Sequence, residues 1–316
     1  MFEKKSELWR GEEAIVLTGV GYIDLYDTFE CGQAFRYECI ERGDGYVEYM
    51  TVIGDSLIRV GQRKRGELIF PALPEDKLDK VIKYFALDTD FEAIRADVIA
   101  HTDSEWLKSA AECAKGITIL KQDPWEALFS FIISQNNNIP RIRKIIRAMA
   151  SAYGTNLATE AGLKKCPLAK IDVAPNEDYC KDCGICYSFP RAKDVLSEPE
   201  KMLPSKPGFR YKYLLSAAER VSSGDTDLDE IEANHSYDYT VTELKKILGV
   251  GDKVASCVAL FGFANLEAFP IDVWMKRAID TYFSGELDPK SLGNYAGVAQ
   301  QYIFHYIRNL EGNDAK

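Results

Sequence analysis

The sequence predicts an α+β protein, with an N-terminal antiparallel β-sheet domain packed on a larger all-helical domain. Three observations predict it. Short segments rich in β-branched and aromatic residues, broken by Gly43-Asp44-Gly45 and Gly54-Asp55 turn signals, fill the chain as far as Phe70. From Pro74 the apolar spacing changes to three and four, as in Leu78, Val81, Ile82 and Phe85, and remains helical nearly to the end. One stretch, 155–208, breaks the helical pattern and carries a cysteine cluster and six prolines.

The expected strands are Ala14–Thr18, Ala34–Ile40, Tyr46–Ile53, Leu57–Val60 and Leu68–Phe70. After the first helix, two more are expected near Phe91–Ala100 and Glu105–Ala114. Asp123-Pro124 then opens a strong helix, with Asp at the cap, Pro at the first helical position and apolar residues through Ile133. Asn136-Asn137-Asn138 breaks it, and a basic helix follows from Ile139 to Tyr153, stopping at Gly154. Beyond the irregular stretch, helices are expected over Tyr211–Ser222, Tyr239–Leu248, Lys253–Phe261, Asp272–Phe283 and Tyr295–Leu310. The domain boundary falls at 118/119, with a Cys-rich loop inserted in the helical domain at about 160–190.

The 316 residues, 46% hydrophobic and 28% charged, suit a globular protein with a sizeable core. No apolar run approaches the ~20 residues that span a bilayer, and Met1-Phe2-Glu3-Lys4-Lys5 leads into no signal core. The expectation is a cytoplasmic protein without a membrane partner. A net charge of −10 argues on average against a nucleic-acid partner, but a focused basic surface on an acidic protein still holds DNA. Arg141, Arg143, Lys144 and Arg147, and separately Lys206, Arg210 and Lys212, supply such local charge; solvated helix faces are the plain alternative.

Of eight cysteines, Cys31, Cys39, Cys113 and Cys257 are scattered, as core thiols are, whereas Cys166, Cys180, Cys183 and Cys186 cluster. Without a secretory signal the cluster reads as a metal site before a disulfide framework. Four thiolates suit a structural Zn²⁺. The Cys-x2-Cys-x2-Cys spacing alternatively resembles part of an iron–sulfur loop.

The segment Leu244–Ala278 carries the chemistry. Gly249-Val250-Gly251 makes a tight turn between two helices, and its free N–H groups with the next helix N-terminus suit a phosphate. An ordinary helix connector would look the same. Lys253, however, sits in a first helical turn, where the macrodipole disfavours a cation; a lysine amine is also a nucleophile for carbonyl-type carbons. Asp272, at the start of the next helix, is a plausible cap and equally a carboxylate placed to stabilise positive charge on a sugar ring.

Together the hairpin, Lys253 and Pro270-Ile271-Asp272 resemble the helix-hairpin-helix DNA glycosylase superfamily, and within it the 8-oxoguanine DNA glycosylases that also cleave the strand. Three further segments carry the resemblance. Cys31-Gly32-Gln33-Ala34-Phe35-Arg36-Tyr37 is similar to the family's N-terminal motif. Gln122 to Phe131 with Asn136 to Ile139 is similar to its central helix and triple-Asn turn. Tyr295-Ala296-Gly297 with Ala299-Gln300 is similar to its C-terminal helix.

The resemblance implies that Lys253 attacks the anomeric carbon to form a Schiff base, that Asp272 stabilises the oxocarbenium-like state, and that no cofactor takes part in catalysis. It implies a flipped base read by the Gly32 carbonyl at N7–H and by Gln300 at its Watson–Crick edge, between Cys257 and Phe304. From periodicity alone, those last two are core residues. Asn136 would fill the vacated gap, Arg141 and Arg210 would contact the orphaned cytosine, Phe209 would wedge beside it, and Gly249 and Gly251 would approach a phosphate. Phe209 stands where eukaryotic members have tyrosine, Trp274 where they have histidine and Phe261 where they have methionine. The implied partner is double-stranded DNA with 8-oxoguanine opposite cytosine, bound by a monomer. Two other readings compete: a monofunctional alkylpurine glycosylase, which Lys253 and Gln33-Ala34-Phe35-Arg36 oppose, and a non-catalytic hairpin module, which Lys253 with Asp272 opposes.

Overall fold

The computed structural model of the chain describes residues 2–160 and 183–314. Strands β1 (Glu3–Trp9), β2 (Glu12–Thr18), β3 (Tyr37–Gly43), β4 (Tyr46–Ile53), β5 (Ser56–Gln62) and β6 (Glu67–Pro71) form one antiparallel sheet in the order β1-β2-β6-β5-β4-β3. The helical remainder follows, so the α+β class expected from the sequence is the one observed. Strand β1 was not expected. Its sequence, EKKSELW, lacks clean apolar alternation because among the described residues it is an outer strand paired only with β2 and largely in solvent, where charges discourage edge-to-edge association. The signal that was present is Arg10-Gly11: φ is +51° and +85°, the two-residue turn that matches strand twist.

The inner face of the sheet buries Leu17, Tyr49, Val60, Leu68 and Phe70 against Phe29 of α1 (Leu25–Glu30) and against Val81 and Phe85 in and just after α2 (Leu78–Tyr84). Helix α1 is too short to show a period, but Asp24 caps it by accepting from the Asp27 N–H at 3.1 Å.

The remaining helices are α3 (Phe91–Ala100), α4 (Glu105–Cys113), α5 (Pro124–Ser134), α6 (Ile139–Tyr153), α7 (Leu157–Glu160), α8 (Ala192–Ser197), α9 (Tyr211–Ser223), α10 (Leu228–Asn234), α11 (Tyr237–Leu244), α12 (Asp252–Gly262), α13 (Val273–Tyr282) and α14 (Ala296–Asp314). The stretch expected to be irregular therefore contains α7, α8 and a 3-10 turn at Pro199–Ser205. Helix α10 was also unexpected; LDEIEAN offers only Leu228 and Ile231 as an apolar pair, although Asp227 caps it and Asp229 and Glu230 complement its N-terminal dipole. Helices α3 and α4, which precede residue 118, contribute Ile94, Val98, Leu107 and Ala110 to the helical core. Among the described residues no helix is long and apolar enough to cross a membrane.

Helices α5 and α12 form the axis of this core. Every residue from Ala127 to Ile133, and every residue from Val254 to Gly262, is buried. They run in opposite directions and close together. A Cβ on Gly262 would stand 3.1 Å from Ala127 Cβ and 3.2 Å from Pro124 Cα, so the end of α12 lies on the start of α5. The start of α12 accordingly meets the end of α5, and this juxtaposition places Lys253 beside Ser134. Gly297 does the same for α14: a Cβ there would stand 2.4 Å from the Ala268 carbonyl oxygen.

Candidate active site

Helix α11 ends at Leu244, earlier than the expected Leu248, because successive turns take over: Ile247 N–H donates to the Leu244 carbonyl and Val250 N–H to the Ile247 carbonyl, both at 3.1 Å. Gly249 closes the hairpin at φ +84°, and a Cβ there would lie 2.3 Å from Tyr213 Cγ. No other residue fits. Gly251 differs: its backbone is extended, and a Cβ would meet nothing within 4 Å. It caps α12 without a side-chain hydrogen bond. The first N–H groups of α12 thus lack a side-chain cap and open onto space, as a backbone phosphate requires.

Lys253, on the first turn of α12, is partly buried. Its Nζ donates to Ser134 Oγ at 3.3 Å and lies 5.5 Å from the centre of the Phe131 ring. That ring stacks on Phe261 at 5.3 Å and meets Phe35 edge-on at 5.6 Å, an aromatic floor beneath the amine. Ser134 Oγ itself donates to the Phe131 carbonyl at 2.8 Å, so its lone pair faces Lys253. Ser134 was not singled out from the sequence; its signal was position, at the C-terminal end of the helix that α12 packs against.

Asp272 caps α13, accepting the Met275 N–H on Oδ1 at 2.8 Å. Lys253 and Asp272 both line a cavity of about 790 Å³, whose wall also includes Gly32, Phe35, Asn136, Trp274, Phe304 and Arg308. Gly32 has φ +86°, and a Cβ there would stand 3.3 Å from Phe304 Cε1 and 3.5 Å from Ile139 Cδ1. Glycine therefore lets the chain approach Phe304 closely. Cys257, one turn beyond Lys253, and Gln300, one turn before Phe304, are buried and lie off the cavity wall. Burial pushes the Cys257 thiol up, with the Lys253 charge opposing.

The motif around Gly32 is held from behind. Gln33 is fully buried; its Nε2 donates to the carbonyls of Thr28 (2.9 Å) and Thr118 (2.8 Å), and its Oε1 accepts from Leu120 N–H (2.8 Å). Arg36 donates to Glu126 at 2.9 Å and to the Tyr187 carbonyl. Burial pushes the Glu126 carboxyl above its ordinary range, with Arg36 opposing. These inward bonds explain why β3 begins at Tyr37 and not at Ala34.

The three asparagines have separate tasks. Asn137 Nδ2 donates to the Ile133 carbonyl at 3.1 Å, closing α5, and Asn138 Oδ1 accepts the Arg141 N–H at 3.0 Å, capping α6. Asn136 is left exposed at φ +46°, a conformation asparagine tolerates. Arg210, only 3% exposed, donates to the carbonyls of Gln135 (2.9 Å), Asn136 (2.9 Å) and Pro207 (3.2 Å). Its guanidinium braces the Asn turn, while Arg141 is exposed. Phe209 is 49% exposed beneath Arg210, 4.4 Å from ring centre to guanidinium carbon. Arg143 and Arg147 are not a solvated cationic face: both donate to Glu38 and to the Tyr37 carbonyl, tying α6 to β3.

Of the cysteine cluster, Cys186 is buried with Met50, Ala150, Ile185 and Tyr187, and Cys183 packs partly buried against that group. Cys166 and Cys180 lie outside the described residues.

A lysine amine and a capping carboxylate on the wall of one cavity, beside a glycine hairpin and an exposed asparagine, are the arrangement of a DNA glycosylase of the helix-hairpin-helix class. The N-terminal-domain model of 8-oxoguanine DNA glycosylase matches residues 15–128. The solved structure of MBOgg1 with a low-affinity DNA ligand is 32% identical, covers 98% of this chain and 99% of that one, and superposes with a TM-score of 0.79. The 8-oxoguanine glycosylase/lyase of Clostridium acetobutylicum, with double-stranded DNA containing cytosine opposite 8-oxoguanine, is 28% identical over 98% of each chain, with a TM-score of 0.78. The N-glycosylase/DNA lyase of Saccharomyces cerevisiae is 29% identical over 80% of this chain, which spans 66% of the yeast protein's length. The chain belongs to the 8-oxoguanine DNA glycosylase family.

Proposed function

We propose that this chain excises 8-oxoguanine from duplex DNA opposite cytosine and then cleaves the strand. The observation that carries the reading is Lys253: a partly buried amine at a helix N-terminus, over an aromatic floor, on the wall of the cavity that Asp272 shares. The flipped nucleotide enters this cavity. The amine bonds to C1′ as the base departs with the glycosidic electron pair, and Asp272, held by its capping bond, faces the positive charge that develops on the sugar. Ring opening leaves an imine; loss of a C2′ proton then expels the 3′ phosphate by β-elimination.

Gly32 and Phe304 bound the base slot, Cys257 lies behind it, and Gln300, one turn before Phe304, meets the Watson–Crick edge of the base that enters. Asn136 and Phe209 face the gap in the duplex, Arg141 reads the orphaned cytosine, and Arg210 holds the turn from which that reading is made. The enzyme acts as a monomer, in the cytoplasm beside the nucleoid. No cofactor enters the chemistry; a metal at Cys166, Cys180, Cys183 and Cys186 would be structural.

Borohydride trapping on an 8-oxoguanine:cytosine duplex tests the mechanism. The unaltered protein should give a covalent adduct, and Lys253→Gln should bind the duplex without excision or adduct. Normal excision by that variant would remove Lys253 as the nucleophile.

A further inference from the structure

Helix α14 buries two consecutive glutamines, Gln300 and Gln301, at 3% and 4% exposure. Gln301 Nε2 donates to Gln300 Oε1 at 2.8 Å. Gln301 Oε1 is buried with no hydrogen-bond partner among the described residues. A buried amide left half-satisfied costs stability, and an apolar side chain of the same size would avoid that cost. The amide bond to Gln300 is what the second glutamine gains.

We propose that Gln301 is a positioning residue that sets base specificity by fixing which way round the Gln300 amide faces the base. This rests on the function proposed above, with Gln300 at the Watson–Crick edge. An amide can turn by half a rotation at little cost, exchanging its donor and its acceptor. The guanine edge offers an acceptor at O6 and a donor at N1–H; the adenine edge offers a donor at N6 and an acceptor at N1. One orientation of Gln300 therefore matches guanine and the other matches adenine. The bond couples the two amides: Gln300 turning alone would set its Nε2–H against the Gln301 Nε2–H, so it can turn only if Gln301 turns with it. The fixed orientation presents Nε2–H to O6, with the remaining Oε1 lone pair for N1–H. 8-Oxoguanine and 8-oxoadenine share the N7–H that the Gly32 carbonyl would accept, so discrimination between them falls to the Watson–Crick edge that Gln300 faces.

The experiment measures single-turnover excision and duplex binding on otherwise identical oligonucleotides carrying 8-oxoguanine or 8-oxoadenine opposite cytosine. The unaltered protein should prefer 8-oxoguanine; failure to excise it at all would defeat the functional reading before any variant is made. Gln301→Met keeps the volume and removes the donor, and should narrow the preference about tenfold. Gln301→Glu supplies only an acceptor, draws the Gln300 N–H towards itself, and should narrow it further or invert it. In a Gln300→Leu background there is no amide to orient, so adding Gln301→Met should leave the preference unchanged. Equal losses on both substrates, with the ratio preserved in Gln301→Met and Gln301→Glu, would reduce Gln301 to a packing residue and overturn the proposal. Melting curves for each variant separate misfolding from misreading, and if Gln301→Met does not fold the ratio is read from Gln301→Glu.

Discussion

The Arg210 guanidinium donates to the Asn136 carbonyl at 2.9 Å and to the preceding Gln135 carbonyl with its Nε, so a buried cation holds the exposed, left-handed asparagine at the edge of the cavity. The relationship separates two arginines that look equivalent in the sequence. Arg210 shapes the turn, and Arg141 is exposed beside it.

Arg210→Ala would leave the partly buried Gln135 and Asn136 carbonyls and the buried Pro207 carbonyl without this donor, a loss of about 1–3 kcal/mol. The variant should melt lower and bind every duplex less well, because Asn136 is no longer held. Arg141→Ala should melt normally and lose mainly the preference for cytosine opposite the lesion, a discrimination of about 1–3 kcal/mol per good contact. Excision rates opposite each of the four bases, alongside thermal melting, check both expectations. Unchanged melting of Arg210→Ala would contradict its bracing role.

Asp272 has two roles that one pair of substitutions divides. Asparagine caps a helix about as well as aspartate, whereas alanine loses about 1 kcal/mol. Asp272→Asn should therefore keep its melting temperature and lose most of its excision rate, and Asp272→Ala should lose both. If Asp272→Asn turns over normally, the Met275 bond is all that the carboxylate provides.

Local signals made the helical body readable. Asp123-Pro124 opens α5 and Asn138 caps α6, with both capping bonds present. The sheet was less readable at β1, whose solvent-facing EKKSELW has no alternation to detect, and at Ala34–Arg36, where Arg36 serves a tertiary contact with Glu126. For the site, Lys253 stood out by breaking the dipole preference of a helix N-terminus. Ser134 did not, since a serine ending an apolar helix is commonplace until α12 is seen to run against α5. Nor could the sequence divide Arg143 and Arg147, bound to Glu38, from the exposed Arg141. Spacing shows which residues share a helix face but not which element that face meets.

The four-cysteine centre is tested by metal analysis of the whole protein. The expectation is one tightly held zinc, with visible absorption distinguishing an iron–sulfur cluster. Chelation should loosen the chain near Cys183 and Cys186, where Cys186 packs with Met50 and Ala150, and weaken duplex binding without abolishing borohydride trapping at Lys253. Metal-free protein of full activity would rule the centre out.

Asp27 gives the fold a pH dependence of calculable sign. It lies on α1, the helix that leads into Gly32, with Oδ1 3.8 Å from His305 Nε2 of α14. Burial, reinforced by the Asp24 charge and opposed by Arg65 and Arg42, raises its carboxyl from 3.8 to about 6. Burial and Arg308 hold His305 below its ordinary value, so near neutral pH the imidazole carries no charge to offset the carboxylate. Between the unfolded value of 3.8 and the folded value of about 6, the folded chain binds more protons than the unfolded one. Stability from this group is therefore full at low pH, falls as pH rises through about 6, and stays reduced above it. Asp27→Asn, neutral at every pH, should melt higher than the unaltered protein near neutrality. The two curves should converge as pH approaches the unfolded value, because Asp27 is then protonated in both states. A melting difference independent of pH would mean that Asp27 affects stability through packing and not through its charge.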